Sequence, residues 1–129
     1  MTRSEMVEQL KNEYRRRRAQ AEREQDARVA EVESVDPQVH ALWQKQARLL
    51  SDAVRAMAAR TPDAQEKATR MREEGRQILR EIRERTVRAG FPEDYMQMRY
   101  RCPKCRDKGV VESGFCECFR RELNERMGS

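Results

Sequence analysis

The stretch "YRCPKCRDKGVVESGFCECF", residues 100–119, contains all four cysteines of a chain of 129 residues. Their spacing is Cys-x2-Cys, then ten residues, then Cys-x-Cys. Two cysteine pairs on adjacent loops supply four thiolate ligands to a tetrahedral zinc ion with little ordering of the chain between them. The pattern therefore predicts one structural zinc ion, and its ligands are Cys102, Cys105, Cys116 and Cys118.

Other uses of four clustered cysteines fit this chain less well. Disulfides are disfavoured in a reducing compartment, and a thioredoxin-type redox pair requires a βαβ context that the sequence lacks. An iron–sulfur cluster also takes four cysteines, but a zinc ribbon or knuckle is commoner at this spacing. Catalytic zinc is disfavoured because four thiolates leave no position open for water. A module this small buries little core, so metal binding would supply much of its folding free energy.

The residues between the two cysteine pairs predict a short β-hairpin. Val110 and Val111 form the first strand, the turn lies at residues 112–114, and Phe115 returns the chain to Cys116. Gly109 allows the chain to leave the first pair in a conformation that other residues resist. The hairpin therefore carries the second cysteine pair back to the first.

We predict that most of the remaining chain is helical. Hydrophobic residues make up 37% and charged residues 40%, which suits long helices with narrow apolar stripes better than a thick core. We predict helices over about residues 3–33, 37–59 and 62–89, joined by short connectors into an antiparallel hairpin or three-helix bundle over residues 1–90. Residues 91–129 are predicted to form the zinc module and a short C-terminal helix. With most of the chain in helices, the predicted fold class is mainly α.

Capping residues mark the predicted helix ends. Thr2 and Glu5 form a capping box. The next two helices begin at N-cap residues that are followed by proline, namely Asp36–Pro37 and Thr61–Pro62. Gly90 suits the left-handed position that ends the third helix.

Two heptad-like apolar seams run along the second and third helices. The first consists of Val39, Trp43, Gln46, Leu50, Ala53 and Met57, and the second of Ala64, Ala68, Met71, Gly75, Ile78, Ile82 and Ala89. The glycine within the second seam is predicted to let another helix approach closely. We predict that the two seams pack against each other within one chain or, alternatively, pair with a second copy to form a homodimer.

Charge and the absence of apolar runs narrow the class of protein. The net charge is +5, and four zinc-bound thiolates would lower it to about +3, which weakens a nucleic-acid interpretation. No signal peptide or membrane span is present in the sequence, so we expect a cytoplasmic protein.

The run Arg15–Arg18 lies among acids and predicts a solvated helix face, since residues 1–35 carry equal numbers of basic and acidic side chains. His40 is expected to be an ordinary surface or interface residue.

Five of the seven aromatic residues lie near the cysteine module, namely Phe91, Tyr95, Tyr100, Phe115 and Phe119. They predict a small core packed against the third helix, or alternatively a partner-binding patch.

Three basic residues, Lys104, Arg106 and Lys108, alternate along the loop that contains the first cysteine pair. Beside Tyr100 and Phe115 they could form a phosphate-binding and base-stacking surface.

Residues 90–119 resemble a known family. "GFPEDYM", "YRCPKCRDKG" and "FCECF" are similar to the N-terminal region of DnaC/DnaI-type replicative helicase loaders and their phage relatives. The matching positions are Gly90, Phe91, Pro92, Tyr95, Tyr100, Cys102, Cys105, Asp107, Gly109, Cys116 and Cys118. Lys108 stands where a threonine is frequent in the family. The charged helical stretch upstream is similar only in composition.

The resemblance implies that this chain binds another protein, and that the ATPase domain of the family is absent from this sequence. In that family a helical, zinc-bearing N-terminal region binds the replicative helicase and precedes an AAA+ ATPase domain. This chain has no Gly-x4-Gly-Lys-Ser/Thr phosphate loop and ends in "RRELNERMGS" where the ATPase would begin, so we expect no enzyme activity and an excised domain or a naturally short relative.

Three functions follow as expectations. The first is a non-catalytic docking module that binds the replicative DNA helicase in replication. The second is a zinc module that binds single-stranded nucleic acid. The third is a structural coiled-coil protein whose zinc site only caps its helices.

Overall fold

The computed structural model describes residues 1–128 and consists of four helices and one two-stranded antiparallel sheet. This confirms the predicted fold class, which is mainly helical with a cysteine cluster near the C-terminus. In chain order the elements are α1 (Arg3–Val35), α2 (Gln38–Ala58), α3 (Ala64–Arg88), β1 (Val110–Val111), β2 (Gly114–Phe115) and α4 (Glu117–Gly128).

The chain forms two compact units. The cysteine unit consists of residues 1–27 and the chain from Gln97 onward, whereas the hairpin unit consists of Arg28–Met96. These units differ from the predicted division at residue 90, because the first part of α1 belongs with the cysteines and not with α2 and α3.

Helix α1 supplies two of the six buried residues in the core of the cysteine unit. Leu10 and Tyr14 are buried against Phe119 and Leu123 of α4, together with Cys105 and Cys116. The aromatic side chains of the cysteine module were expected to pack against the third helix. Phe115 and Phe119 instead pack against α1, where Leu10 and Tyr14 lie one helical turn apart and face the same way. Phe91 and Tyr95 do pack against the core that includes residues of the third helix.

In the hairpin unit, α2 packs against α3 and the end of α1 contributes to the same core. The buried residues are Val29, Val32, Val39, Ile78, Ile82 and Met96. The predicted seam of α2 is only partly buried, since Ala53 is 1% exposed but Leu50 and Met57 are 51% and 42% exposed. Leu42 and Leu49 pack against the core of the hairpin unit, so the inward face of α2 lies to one side of Leu50 and Met57.

Gly75 is buried on α3, but it does not mediate a close helix approach. A Cβ atom added at this position would meet no atom within 4 Å. The expectation that this glycine is needed for helix packing is therefore wrong.

The helix ends agree with most of the predicted caps. Thr2 and Glu5 form the capping box, with the Glu5 N–H donating to Thr2 Oγ1 at 3.1 Å and the Thr2 N–H donating to Glu5 Oε1 at 3.2 Å. Asp36 Oδ1 accepts a hydrogen bond from the Gln38 N–H at 3.1 Å. Gly90 has φ +98° and begins a Schellman ending, in which the Phe91 N–H donates to the Thr86 carbonyl at 3.1 Å.

The start of α3 differs from the prediction. The Thr61 hydroxyl donates to Asp63 Oδ1 at 2.8 Å instead of capping the helix, and α3 begins at Ala64. None of the helices within residues 1–128 is long and apolar enough to cross a membrane.

Candidate metal centre

A short hairpin brings the four thiols together. Cys102 and Cys105 precede β1, Cys116 follows β2, and Cys118 lies in the first turn of α4. The strands pair Val110 with Phe115, and the Cys116 N–H then donates to the Gly109 carbonyl at 2.8 Å. This bond closes the hairpin at its base, so the second cysteine pair returns to the first as predicted.

The four Sγ atoms form one compact cluster. All of them lie within 4.8 Å of one another, and the Cys102–Cys116 and Cys105–Cys118 separations are 3.8 and 3.7 Å. A disulfide requires sulfur atoms about 2.05 Å apart, and all four cysteines are free thiols. The cluster can therefore hold a metal ion, with Cys105 and Cys116 buried and Cys102 and Cys118 half-buried.

The loop after Cys105 has an unusual backbone. Arg106 and Asp107 have φ of +53° and +57°, and Gly109 has φ +80°. The turn is closed by the Arg106 N–H, which donates to the Cys102 carbonyl at 2.9 Å. A Cβ at position 109 would lie 2.8 Å from the Phe119 ring, so the site requires glycine for space as well as for its backbone.

Asp107 has a structural role that the residue pattern did not reveal. Its side chain is buried, and the carboxylate accepts hydrogen bonds from the backbone N–H groups of Arg101 at 3.0 Å and Cys102 at 2.9 Å. These bonds hold the chain that enters the first cysteine pair. The available signal was an acidic residue two positions after a Cys-x2-Cys pair, where a short carboxylate can reach nearby backbone donors.

Helix α1 contributes polar groups around the cluster. The Tyr14 hydroxyl donates to the Glu122 carboxylate and lies 3.2 Å from the Cys118 sulfur. Arg17 donates two hydrogen bonds to Glu122, at 2.8 and 3.0 Å. The sequence did not predict this polar group, because Tyr14 and Arg17 lie more than a hundred positions from Glu122 along the chain.

The surroundings of the thiols shift their pKa values in opposite directions. The backbone N–H of Cys105 lowers the pKa of Cys102 to about 7, outweighing burial, which raises it. Burial raises the pKa of Cys118 to about 12 and also raises the pKa of Cys105. A cation bound by four thiolates would displace protons from the buried thiols, so its affinity should fall as pH falls.

The predicted aromatic patch is divided between the two units. Phe119 is 1% exposed in the cysteine unit, and Phe115 stacks on it with ring centroids 4.5 Å apart. Phe91 and Tyr95 stack on each other at 4.8 Å in the hairpin unit, and Tyr100 is half-buried. Phe119 is therefore a core residue with no surface left for a partner.

The three residues that were predicted to bind nucleic acid differ in their surroundings. Lys104 forms an exposed ion pair with Glu117 at 3.6 Å, and Arg106 is an exposed residue of the left-handed turn. Lys108 lines a surface pocket together with basic residues of α1. His40 belongs to the hairpin unit, where it is exposed and lies 2.8 Å from Glu33.

Comparison of the chain with protein-family models, with curated proteins and with solved structures gives no match. The resemblance of residues 90–119 to helicase loaders thus rests on the motif alone.

Proposed function

We propose that this chain is the non-catalytic docking domain of a replicative helicase loader, with one structural zinc ion in its cysteine unit. Two of the sulfur–sulfur separations are 3.8 and 3.7 Å, and a regular tetrahedron with edges of that length has its centre about 2.3 Å from each sulfur, which is the zinc–thiolate distance. Four thiolates would close the coordination sphere of the ion, so its role is to stabilise the fold and to hold α4 in place.

The observation that carries the docking proposal is an apolar stripe on α2. Leu50, Val54 and Met57 are 51%, 66% and 42% exposed. Their spacing of four and three residues places them on one face of the helix. Exposed large apolar side chains at helical spacing are typical of a surface that a partner protein covers.

The partner follows from the motif in residues 90–119. In helicase loaders the region with this motif binds the replicative helicase, and we propose the same class of partner here. The stripe is continuous along one helix, which suits docking into a groove of another protein.

The test is light scattering coupled to size exclusion, with the zinc-loaded chain and the replicative helicase from the same source. We expect a complex of defined stoichiometry. The double variant Val54→Glu/Met57→Glu should lose it, because each added carboxylate would have to be desolvated in the interface.

Ala41→Glu is the matched control, since it adds a charge at an exposed position of α2 on the side of the helix opposite the stripe. It should retain the complex. If the wild-type chain forms no complex, or if both substitutions weaken it equally, the docking proposal is wrong. If the chain alone runs as a dimer that Val54→Glu dissociates, the stripe pairs two copies instead.

A further inference from the structure

We infer that a basic pocket in the cysteine unit binds single-stranded nucleic acid. Lys11, Arg15 and Arg18 of α1 and Lys108 of the cysteine loop surround Phe115 at this pocket. The inference does not rest on helicase docking, since the apolar stripe belongs to the other unit.

The pocket presents positive charge without neighbouring acids in its lining. In the part of the chain that the structure describes, Arg15, Arg18 and Lys108 form no ion pair, and Lys11 forms one exposed pair with Glu8 at 3.6 Å. The adjacent Arg17 is instead paired with Glu122. The excess of cations therefore remains available to an anionic ligand.

One of the cations is held in place by the cysteine loop. Arg18 Nη1 donates to the Asp107 carbonyl at 2.8 Å, and the Asp107 carboxylate is itself bonded to the backbone beside Cys102. The folded cysteine loop therefore organises the pocket as well as the thiol cluster. A preorganised guanidinium loses less side-chain entropy on binding a phosphate than a mobile one.

An aromatic ring adjoins these cations. Phe115 is half-buried and backed by Phe119, whose ring is stacked on it at an interplanar angle of 15°. Lys11 Nζ lies over the Phe115 ring, 5.9 Å from its centroid, so a base that stacks on this ring displaces the partly exposed lysine. A rigid ring beside several cations suits a ligand with a phosphate backbone and unpaired planar bases, which is single-stranded nucleic acid. An acidic peptide would use the cations but not the ring.

The experiment measures binding of the zinc-loaded chain to a fluorescein-labelled fifteen-residue oligothymidylate by anisotropy, at several salt concentrations. We expect binding that weakens with added salt. The variant Arg15→Ala/Lys108→Ala should reduce the slope of log K against log salt by about 0.7 for each phosphate that the variant no longer neutralises. Phe115→Leu should reduce the affinity roughly tenfold while leaving the salt slope unchanged.

Lys104→Ala is the matched control, because it removes one exposed lysine of the same loop outside the pocket. It should bind as the wild-type chain does. Each variant is first checked for metal content and helical circular dichroism, so that only folded proteins are compared.

Three results would overturn the inference. They are no binding by the wild-type chain, an equal loss of affinity in Lys104→Ala, and equal competition by polyglutamate at the same charge concentration. The last result would mean that the pocket takes any polyanion and that the ring has no part in recognition.

Discussion

At the scale of single residues, Gly109 is the glycine with the least space for a side chain in the part of the chain that the structure describes. Its φ of +80° is unfavourable for other residues, and an added Cβ would lie 2.8 Å from the Phe119 ring. We expect Gly109→Ala to lower the free energy of unfolding by about 2–3 kcal/mol, from backbone strain and overpacking together. Urea denaturation of the metal-loaded chain measures it.

Gly114→Ala separates the two causes. Gly114 has φ +127°, but nothing lies within 4 Å of the position its Cβ would occupy. It should therefore show the backbone cost alone, about 1–2 kcal/mol. Equal losses of stability in the two variants would mean that the Phe119 ring moves aside without cost.

The hydroxyl of Tyr14 is a second single-residue test. It lies beside Cys118 and donates to Glu122, while the ring is buried against Phe119 at 5.2 Å. Tyr14→Phe retains the ring, so we expect a loss of only about 1–2 kcal/mol in unfolding free energy. Leu10→Ala, which opens a cavity in the same core, should cost about 2–5 kcal/mol. A cost for Tyr14→Phe as large as that of Leu10→Ala would show that the hydroxyl matters more than the packing.

At the scale of elements, an ion pair joins α1 to α4 within the cysteine unit. Arg17 lowers the pKa of Glu122 from its ordinary value of 4.5, chiefly through their hydrogen bonds. A lowered carboxyl pKa adds stability above pH 4.5, and that stability is lost as pH falls through the folded-state pKa.

We therefore expect Arg17→Met to destabilise the chain by about 1 kcal/mol at neutral pH and progressively less below pH 4.5. Carbon-13 NMR titration of Glu122 should show its pKa moving up towards the ordinary value in the variant. An unchanged Glu122 pKa would contradict the pairing. Arg16→Met, at an exposed neighbouring position, is the control.

Helix α3 contains a glycine that its packing does not require. Since an added methyl group at Gly75 meets no atom within 4 Å, Gly75→Ala gains helix propensity without a clash. We expect it to raise the unfolding free energy of the hairpin unit by about 1 kcal/mol. Thermal denaturation measures the change, and a lower melting temperature would mean that a neighbouring side chain needs this space.

At the scale of the whole molecule, the two units have separate cores and should respond differently to metal removal. The core of the cysteine unit includes Cys105 and Cys116, whereas that of the hairpin unit contains no cysteine. We expect a chelator to remove hydrogen-exchange protection from residues 97–128 and from the start of α1, while α2 and α3 remain protected. Loss of protection in α2 and α3 to the same extent would show that the units fold as one.

The sequence predicted the local features well because each depends on neighbouring residues. The capping box at Thr2, the left-handed Gly90 and the Val110–Phe115 hairpin are short-range, and they were predicted as they occur. The start of α3 was missed because Thr61 bonds to the side chain of Asp63 rather than to the backbone. The packing of α1 on the cysteine module was also missed, because its few apolar residues are buried only by a distant part of the chain.

The four cysteines and their spacing determined by themselves where a metal ion can bind, because ligand type and loop length act over twenty residues. Only the tertiary structure decided that α1 packs on this module, because burial of Leu10 and Tyr14 depends on α4, more than a hundred residues away. The same packing gave the basic side chains of α1 different surroundings. It paired Arg17 with Glu122 and left Arg15 and Arg18 beside Lys108, whereas the balanced charge along the sequence had predicted only a solvated helix face.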